Sequence, residues 1–287
     1  MHLFKSKESL GILFAILAYF SFSVLDAFQK TAVIYHSIFQ LLLIKYFFVL
    51  LLAYFESYRN QKIKFYLSKN IKLQIFRCIL SIAESACFAL AFRYLSLADA
   101  HSIGSLTPVI VVILSSIILR EYVSYKTWIA IFVGFIGVLI IMRPGLSIFD
   151  PKSLIPLTAA FFLGFYQVIT KITAKYDSPQ TSLFYNGVIG IIIMSFMSFF
   201  YWKELNTTSY ILLTCIGIFF AIGLYFQIVA LTKARASIIQ PFHYTLIFWA
   251  IIWGYLIYDD LPDLPTVIGA IIITISGIYV INQKTTE

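Results

Sequence analysis

Asp26, Lys45 and Glu84 are ionisable side chains inside long apolar runs of this 287-residue chain. A charge at the centre of a membrane-spanning helix costs about 2.5–3.5 kcal/mol on insertion scales, so each of these residues needs a partner or a water-filled cavity. Glu84 is the favoured partner for the Lys45 ammonium, with a substrate or another carboxylate as the alternatives. Asp26 precedes Lys30 by four residues, which places both on one helical face, where Asp26 could offset the charge of Lys30. Carboxylates at this depth can also bind a charged solute or exchange a proton near neutral pH.

Other polar residues lie within the apolar runs or near their ends, and each has a structural explanation as well as a functional one. Within the runs are Arg77, Gln167, Gln227, His243 and Tyr244, and near the ends are Lys30, Arg93 and Lys171. The side chains near the ends are expected to extend to the membrane interface, and Arg77 to do the same or to hold phospholipid headgroups. A purely structural ion pair between Lys45 and Glu84 would also meet the cost of burial. The polar residues therefore predict where a cavity lies rather than which ligand it takes.

The composition requires a bilayer around these residues. Apolar residues make up 61% of the chain and charged residues 12%, against about 45–50% and about 25% in an ordinary soluble domain. This excludes most soluble enzymes and nucleic-acid-binding modules. Cys78, Cys87 and Cys215 fall in apolar runs without metal or disulfide spacing, and the four histidines are scattered. No metal or cofactor is therefore predicted.

Ten apolar segments can be drawn along the chain, and each must be helical because an open strand would leave backbone groups unpaired in lipid. They are Leu10–Lys30, His36–Phe55, Lys72–Phe92, Ala98–Leu119, Lys126–Met142, Ser153–Thr173, Thr181–Tyr201, Ser209–Leu231, Ala236–Tyr258 and Leu264–Ile281. The sequence thus predicts an all-α integral membrane protein with ten transmembrane helices. Pro108 and Pro241 lie inside the fourth and ninth segments, where each is expected to kink its helix.

The distribution of Lys and Arg residues predicts the orientation. With the N-terminus in the cytoplasm, 14 of the Lys and Arg residues in the connections or near span ends fall on the inner side and five on the outer side, which is a strong positive-inside bias. Both termini are therefore predicted to face the cytoplasm, with the chain in the cytoplasmic (inner) membrane. The same placement accounts for the net charge of +8 without a nucleic-acid partner.

The two halves of the chain resemble each other at a nearly constant offset. Asp26-x-x-x-Lys30 is matched by Gln167-x-x-x-Lys171 at an offset of 141, Glu121 by Asp259 at 138, and Gly137 by Gly277 at 140. These matches predict two repeats of five spans, residues 1–145 and 146–287, within one transmembrane domain. An odd number of spans inserts the second repeat upside down, and inverted repeats are typical of secondary transporters with a substrate site near the midplane.

Several motifs resemble those of a known family. Leu97-Ala98-Asp99-Ala100, Thr107-Pro108, Arg120-Glu121, Gly134-Phe135-x-Gly137 and Arg143-Pro144-Gly145 resemble the first repeat of EamA-type drug/metabolite transporters. In the second half, Gln240-Pro241-Phe242-x-Tyr244-Thr245, Trp249-Ala250 and Asp259-x-x-Pro262-Asp263 are similar to a branch that includes bacterial S-adenosylmethionine importers and riboflavin importers. The resemblance covers nearly the whole chain and is more specific for family than for substrate.

The resemblance implies ten helices in two inverted five-helix repeats, around a central cavity lined by spans one, three, four, six, eight and nine. On that basis the candidate cavity residues are Asp26, Glu84, His101, Gln167, Gln227, His243 and Tyr244. The cost of burying its charge adds Lys45, which stands where arginine would be expected in this branch. Glu84 has no counterpart in the resemblance.

The sequence therefore predicts a secondary carrier, not an enzyme, that moves a small polar or amphipathic metabolite by alternating access. The loops are short and carry no nucleotide-binding motif, so the energy is expected from a gradient or from exchange. Asp26, Glu84 or His243 would then carry a coupling proton. The expected partners are a small-molecule substrate and the lipid bilayer, and both a monomer and a homodimer remain open.

Two other functions are weighed against the carrier: an intramembrane lipid-modifying enzyme and a non-transporting scaffold or passive channel. The one candidate catalytic motif, the D-D-x-x-D run Asp259–Asp263, is interrupted by Pro262 and has no second acidic cluster. Glu84 and His101 could form a catalytic pair, but helical turns and a loop separate them along the chain. Concentrative uptake would distinguish a carrier from both alternatives.

Overall fold

The computed structural model describes residues 7–60, 64–142, 151–259 and 264–283, and these residues contain helices but no strand. The α-helices are α1 (Lys7–Tyr35), α2 (Ile38–Arg59), α3 (Ile71–Tyr94), α4 (Leu97–Gly104), α5 (Thr107–Leu114), α6 (Tyr125–Met142), α7 (Leu154–Thr173), α8 (Pro179–Phe200), α9 (Thr207–Lys233), α10 (Ala236–His243), α11 (Thr245–Tyr258) and α12 (Leu264–Gln283). A π-helical turn, Ser115–Leu119, follows α5, and a short 3₁₀ turn, Pro151–Ser153, precedes α7.

Each apolar segment predicted from the sequence is helical, with ends that differ by a few residues. Eight of the described helical segments are long and apolar enough to cross a membrane, and Tyr125–Gly137 forms a shorter apolar helix. Large apolar side chains cover the outside of the bundle, as at Ile192 and Phe199, which are 65% and 81% exposed. A bilayer removes the cost of exposing them, so the all-helical membrane prediction is confirmed. The count of ten crossings stays a prediction.

Polar side chains fix where several of these helices begin. Asn70, Ser96, Ser178 and Asn206 each accept a hydrogen bond from the backbone N–H three residues ahead. Such caps satisfy one of the N–H groups that the first turn of a helix leaves without a partner. The ends of α3, α4, α8 and α9 are therefore set by short local motifs rather than by hydropathy alone.

The fourth and ninth apolar segments are each broken into two helices. Pro108 lies in the first turn of α5, where a missing N–H has no cost, and Pro241 lies inside α10 just before its end at His243. The predicted kinks thus occur as breaks. The two broken segments also end alike, because Arg120 and Asp259, 139 positions apart, both adopt a left-handed conformation with φ of 53°. Glu121, which the sequence comparison matched to Asp259, is the residue directly after the left-handed Arg120.

The packing of the helices is regular. The most extensive contacts join α1 to α9, α3 to α7, α2 to α8, and α6 to α12. If the halves are matched at the broken segments, α1, α2, α3 and α6 of the first half correspond to α7, α8, α9 and α12 of the second. Exchanging the halves then converts the α1–α9 pair into the α3–α7 pair, and it leaves the α2–α8 and α6–α12 pairs unchanged. The largest hydrophobic cluster of the described residues lies mainly among α1, α2, α3, α7, α8 and α9.

A glycine allows the closest approach within the α2–α8 pair. A Cβ atom on Gly190 of α8 would lie 2.2 Å from Cγ of Tyr46 on α2, whose side chain is fully buried. Tyr46 follows Lys45 in the chain, so this contact also fixes the part of α2 that carries the buried lysine. Only a glycine at position 190 leaves the ring where it lies.

Substitution Gly190→Ala should therefore lower the free energy of unfolding by about 1–3 kcal/mol, the usual cost of overpacking a core. Thermal unfolding of the purified protein in detergent measures the change. Ile192→Ala, two residues along the same helix on an exposed side chain, should change stability by about 0.5 kcal/mol or less. Equal stability of Gly190→Ala and the natural chain would show that α2 and α8 do not pack in this way.

Candidate functional site

A cavity of about 60 Å³ lies where α1, α2, α3, α4, α7, α9, α10 and α11 meet. Six of the eight residues predicted for the site line it: Asp26, Lys45, Glu84, His101, Gln227 and His243. A space of this size holds a few water molecules, which is less than the volume of a metabolite. Binding of a metabolite therefore requires the surrounding helices to move apart.

Asp26 and His101 form a direct pair across the cavity wall. Nε2 of His101 lies 3.1 Å from Oδ2 of Asp26, and the two side chains are 5% and 13% exposed. The pair joins α1 to α4, and Phe88 of α3 stacks on the His101 ring with centroids 6.0 Å apart. Lys30 places its ammonium 5.0 Å from the centre of the Tyr258 ring, and the expectation that Asp26 offsets its charge stays a prediction.

Lys45 and Glu84 face the same cavity without bonding to each other. No salt bridge joins them in the described part of the chain, so the favoured direct pair is not formed. The Lys45 ammonium lies 4.8 Å from the centre of the Phe220 ring, and Glu84 accepts a hydrogen bond of 3.0 Å from Ser85. The carboxylates of Glu84 and Asp26 are near enough to attract the ammonium. Three charged groups thus face one space, and neither Lys45 nor Glu84 is committed to a direct ion pair.

Several buried polar atoms of the cavity wall have no hydrogen-bond partner among the residues that the structure describes. They are the Tyr19 hydroxyl, the Gln29 Oε1 atom, and both ring nitrogens of His243. The Tyr19 and His243 rings meet edge to face with centroids 5.2 Å apart. A buried polar atom without a partner costs about 1–3 kcal/mol, and here each such atom belongs to a residue that lines the cavity. The sequence analysis missed Tyr19 and Gln29, although Gln29 follows Asp26 by three residues on the same helical face.

Two predicted site residues, Gln167 and Tyr244, do not line the cavity. Gln167 accepts a hydrogen bond of 2.8 Å from the Gln240 amide of α10, because its face of α7 is turned towards that helix. Tyr166, the preceding residue, lines the cavity instead. Tyr244 lies at the break between α10 and α11 and packs on Gly134 of α6, where a Cβ atom would come within 2.8 Å of its ring.

The expected interfacial role of Arg77 is wrong, whereas that of Lys171 and Arg93 stays a prediction. Arg77 is fully buried and bonds to protein groups. Lys171 donates to the carbonyls of Leu231 and Ala234, 2.8 and 2.6 Å away, at the end of α9. Arg93 donates in the same way to the end of α1. In lipid a free helix carbonyl is costly, so these cations complete helix ends. Arg143 and the acidic run from Asp260 to Asp263 lie outside the described residues.

Glu84 and His101, which several turns and a loop separate along the chain, line the same cavity. The helices expected from the resemblance, corresponding to spans one, three, four, six, eight and nine, all contribute to the wall, and α2 adds Lys45. The arrangement is an enclosed site in the middle of a helix bundle. It can hold a ligand through one ammonium, two carboxylates, two imidazoles and several neutral hydrogen-bonding groups.

A family model described as the EamA-like transporter family matches residues 9–143 and again residues 153–283. An S-adenosylmethionine uptake transporter of Rickettsia prowazekii is 23% identical over 96% of this chain and 93% of its own length. A riboflavin transporter of Vibrio cholerae is 30% identical over 62% of this chain and 60% of its own length. A crystal structure with 12% sequence identity matches with a TM-score of 0.78 over 94% of this chain and 96% of that chain, which shows a shared fold.

A double-mutant cycle should measure the Asp26–His101 pair. The variants Asp26→Asn, His101→Asn and the double variant should give a coupling energy of about 1–3 kcal/mol in unfolding, because the two side chains are in contact and little exposed. Glu8 and Arg235 serve as the matched control, since their charged atoms are 3.3 Å apart but 44% and 45% exposed. Their coupling should be about 0.5 kcal/mol or less. Equal coupling energies would contradict the buried pair.

Proposed function

We propose, because the chain belongs to the EamA-like transporter family, that it is a secondary transporter that moves a small polar or amphipathic metabolite across the cytoplasmic membrane by alternating access. The observation that carries this proposal is the central cavity, where Lys45, Glu84 and Asp26 face one space and the Lys45 and Glu84 charges are not paired directly. Such an arrangement costs folding free energy in a membrane. The cost is explained if these charges bind a charged solute in the cavity.

The proposed architecture is ten transmembrane helices in two inverted five-helix repeats, residues 1–145 and 146–287. Support comes from the two broken segments, whose left-handed ends at Arg120 and Asp259 are 139 positions apart. The starts of α4 and α10, at Leu97 and Ala236, are separated by the same number. The helix pairs that exchange of the halves leaves unchanged, α2–α8 and α6–α12, add to this support. The charge bias along the sequence favours both termini in the cytoplasm.

The proposed substrate site consists of the residues that line the cavity with polar atoms. They are Tyr19, Asp26, Gln29, Lys45, Glu84, His101, Gln227 and His243. Lys45 would bind an anionic group such as a carboxylate, and Glu84 a cationic group such as an ammonium or sulfonium. This pattern of charges favours a zwitterion or a cation, which agrees with the name of the Rickettsia relative. Tyr19 and His243 would bond to neutral polar groups of the same molecule.

The proposed energy source is a proton gradient or exchange. Asp26 is the best-placed proton carrier of the three titratable residues considered, since its carboxylate contacts His101 within the cavity wall. Lys45 of α2 and Glu84 of α3 face the same space, as does His243 of α10. A charged substrate bound in this space would therefore change how readily these residues of the cavity wall gain or lose a proton.

Purified protein in liposomes should accumulate labelled S-adenosylmethionine or riboflavin from one side, and an imposed proton gradient should change the extent. Lys45→Gln and Glu84→Gln should each reduce the initial rate about tenfold or more, since each loses a charge-assisted contact worth about 1.5–3 kcal/mol. Lys72→Gln and Glu204→Gln remove like charges from exposed positions and should leave the rate within about twofold, as exposed charges contribute little.

Three results would contradict the proposal in different ways. Equal rates for the cavity variants and the controls would remove the cavity from transport. Equilibration without accumulation under any gradient or counter-substrate would indicate a passive channel. Absence of flux for a broad set of zwitterions, cations and flavins, in both directions, would contradict the proposed substrate class.

A further inference from the structure

A hydrogen-bonded chain runs from the cavity wall to the face of the molecule that holds the α2–α3 and α7–α8 connections. It begins at Tyr166, which lines the cavity and whose hydroxyl accepts a hydrogen bond of 3.2 Å from Nη1 of Arg77. Arg77 lies on α3 and Tyr166 on α7, so this first bond joins two helices that form one of the most extensive contacts in the bundle.

Arg77 is the central residue of this hydrogen-bonded chain. Its side chain is fully buried, and its Nη2 and Nε atoms donate to Oε1 of Gln74 at 3.0 and 3.2 Å. Nη2 also donates to the carbonyl of Ser182 on α8, 2.6 Å away. The guanidinium therefore joins α3, α7 and α8 at one point. A buried guanidinium that lost these acceptors would be strongly destabilised, so the three helices can separate there only if its partners are replaced.

Asp177 ends the hydrogen-bonded chain at the face that holds the two connections. Its Oδ2 atom accepts from the Gln74 amide at 2.9 Å and from the Ser68 hydroxyl, and its Oδ1 atom accepts from the backbone N–H of Lys69 at 2.8 Å. Asp177 precedes α8, whereas Ser68 and Lys69 precede α3. One carboxylate that is 8% exposed thus holds the two connections together.

At the opposite face of the bundle, α2 and the end of α8 are joined differently. There the Gln40 amide donates to the Lys203 carbonyl at 2.9 Å and accepts from the Lys203 N–H at 3.4 Å. A groove of about 640 Å³ opens beside this contact, between α2, α3 and the end of α8, with Phe39, Cys87 and Trp202 in its wall. The bundle is therefore held by a buried guanidinium and a carboxylate at one face. At the other face, the Gln40 amide and the Arg93 guanidinium make the contacts beside a groove.

We propose that Tyr166, Arg77, Gln74, Asp177 and Ser68 form the gate that closes the cavity towards the Asp177 face, which the charge bias places in the cytoplasm. This Asp177 gate rests on the proposed alternating access. Arg77 acts as a positioning residue, since it holds Tyr166 at the cavity wall and Gln74 at the gate. A substrate that bonds to the Tyr166 hydroxyl competes with Arg77 for it, and so favours release of the gate.

Cys78 provides a natural reporter of the gate. Its thiol is fully buried, and its Sγ atom lies 3.9 Å from Nη2 of Arg77. In a C87S/C215S background Cys78 is the one thiol left in the chain. Its alkylation by a membrane-impermeant maleimide, added to inside-out vesicles or to intact cells, measures how often the gate opens and to which face. This measurement needs no transport, so failure of the gate is distinguishable from failure of the proposed function.

Asp177→Asn should raise the rate of Cys78 alkylation about tenfold or more in inside-out vesicles, because a charge-assisted bond is lost, and should not raise it in intact cells. Tyr166→Phe should raise it as well, although it removes a single oxygen far from Asp177. Asp99→Asn is the matched control, since the Asp99 carboxylate bonds to Ser96 within one turn of α4, and should leave the rate within about twofold. Unchanged rates in both gate variants, or an equal increase from both sides, would overturn the proposal.

A cross-link separates a gate from a static contact. The pair S68C/D177C, in a chain without natural cysteines, should form a disulfide or accept a short bifunctional thiol reagent, because the native side chains are in hydrogen-bond contact. The cross-linked protein should lose transport of whichever probe the uncross-linked pair carries, and reduction should restore it. Transport at the full rate while the cross-link is intact would show that these connections need not separate, which would overturn the gate.

Discussion

The structure depends on one constraint: a charged or polar side chain inside a membrane bundle must be surrounded by groups that replace water. Arg77, Lys171 and Arg93 meet this constraint with acceptors from the protein, and their bonds fix helix ends and helix contacts. The cavity residues meet it less completely. Within the described part of the chain, Lys45 faces an aromatic ring and two carboxylates without a direct salt bridge, and neither His243 nitrogen has a hydrogen-bond partner. The difference separates polar residues that stabilise the bundle from those available to a ligand.

The broken helices explain why the site lies where it does. The breaks after α4 and α10 interrupt two apolar segments at corresponding places in the two halves, and each short helix before a break carries a cavity histidine, His101 or His243. Broken helices near the midplane are tolerated in membranes where the freed backbone groups are buried in protein or line a cavity. They are also the usual substrate-binding elements of transporters built from inverted repeats. The mobile parts of the proposed cycle would therefore meet at the residues that bind the substrate.

Much of the fold follows from the sequence, because the span of a bilayer sets a length that apolar runs must match. The ends of α7 and α12 agree with the predicted segments within two residues. The location of the cavity was also predictable, since buried charge is costly wherever it occurs. The contact partners of the polar side chains were harder to predict from the sequence. Whether residue 166 or 167 faces the cavity depends on the rotation of α7, and hydropathy does not define that rotation in a helix that is apolar on most sides. Arg77 donates to the Tyr166 hydroxyl and to the Ser182 carbonyl, 89 and 105 positions further along the chain. Only the packing of α3 against α7 and α8 creates these contacts.

The central claim is that the charges of the cavity serve binding rather than folding. Thermal unfolding of the natural chain and of the double variant Lys45→Met with Glu84→Met, each with and without S-adenosylmethionine or riboflavin, tests it directly. Replacing buried charges by apolar residues is often neutral or stabilising, so the variant should be at least as stable as the natural chain without ligand. Ligand at about a hundred times its dissociation constant should stabilise the natural chain by about 2.7 kcal/mol and the variant not at all. A variant that unfolds at a much lower temperature, yet is still stabilised by the ligand, would contradict the account.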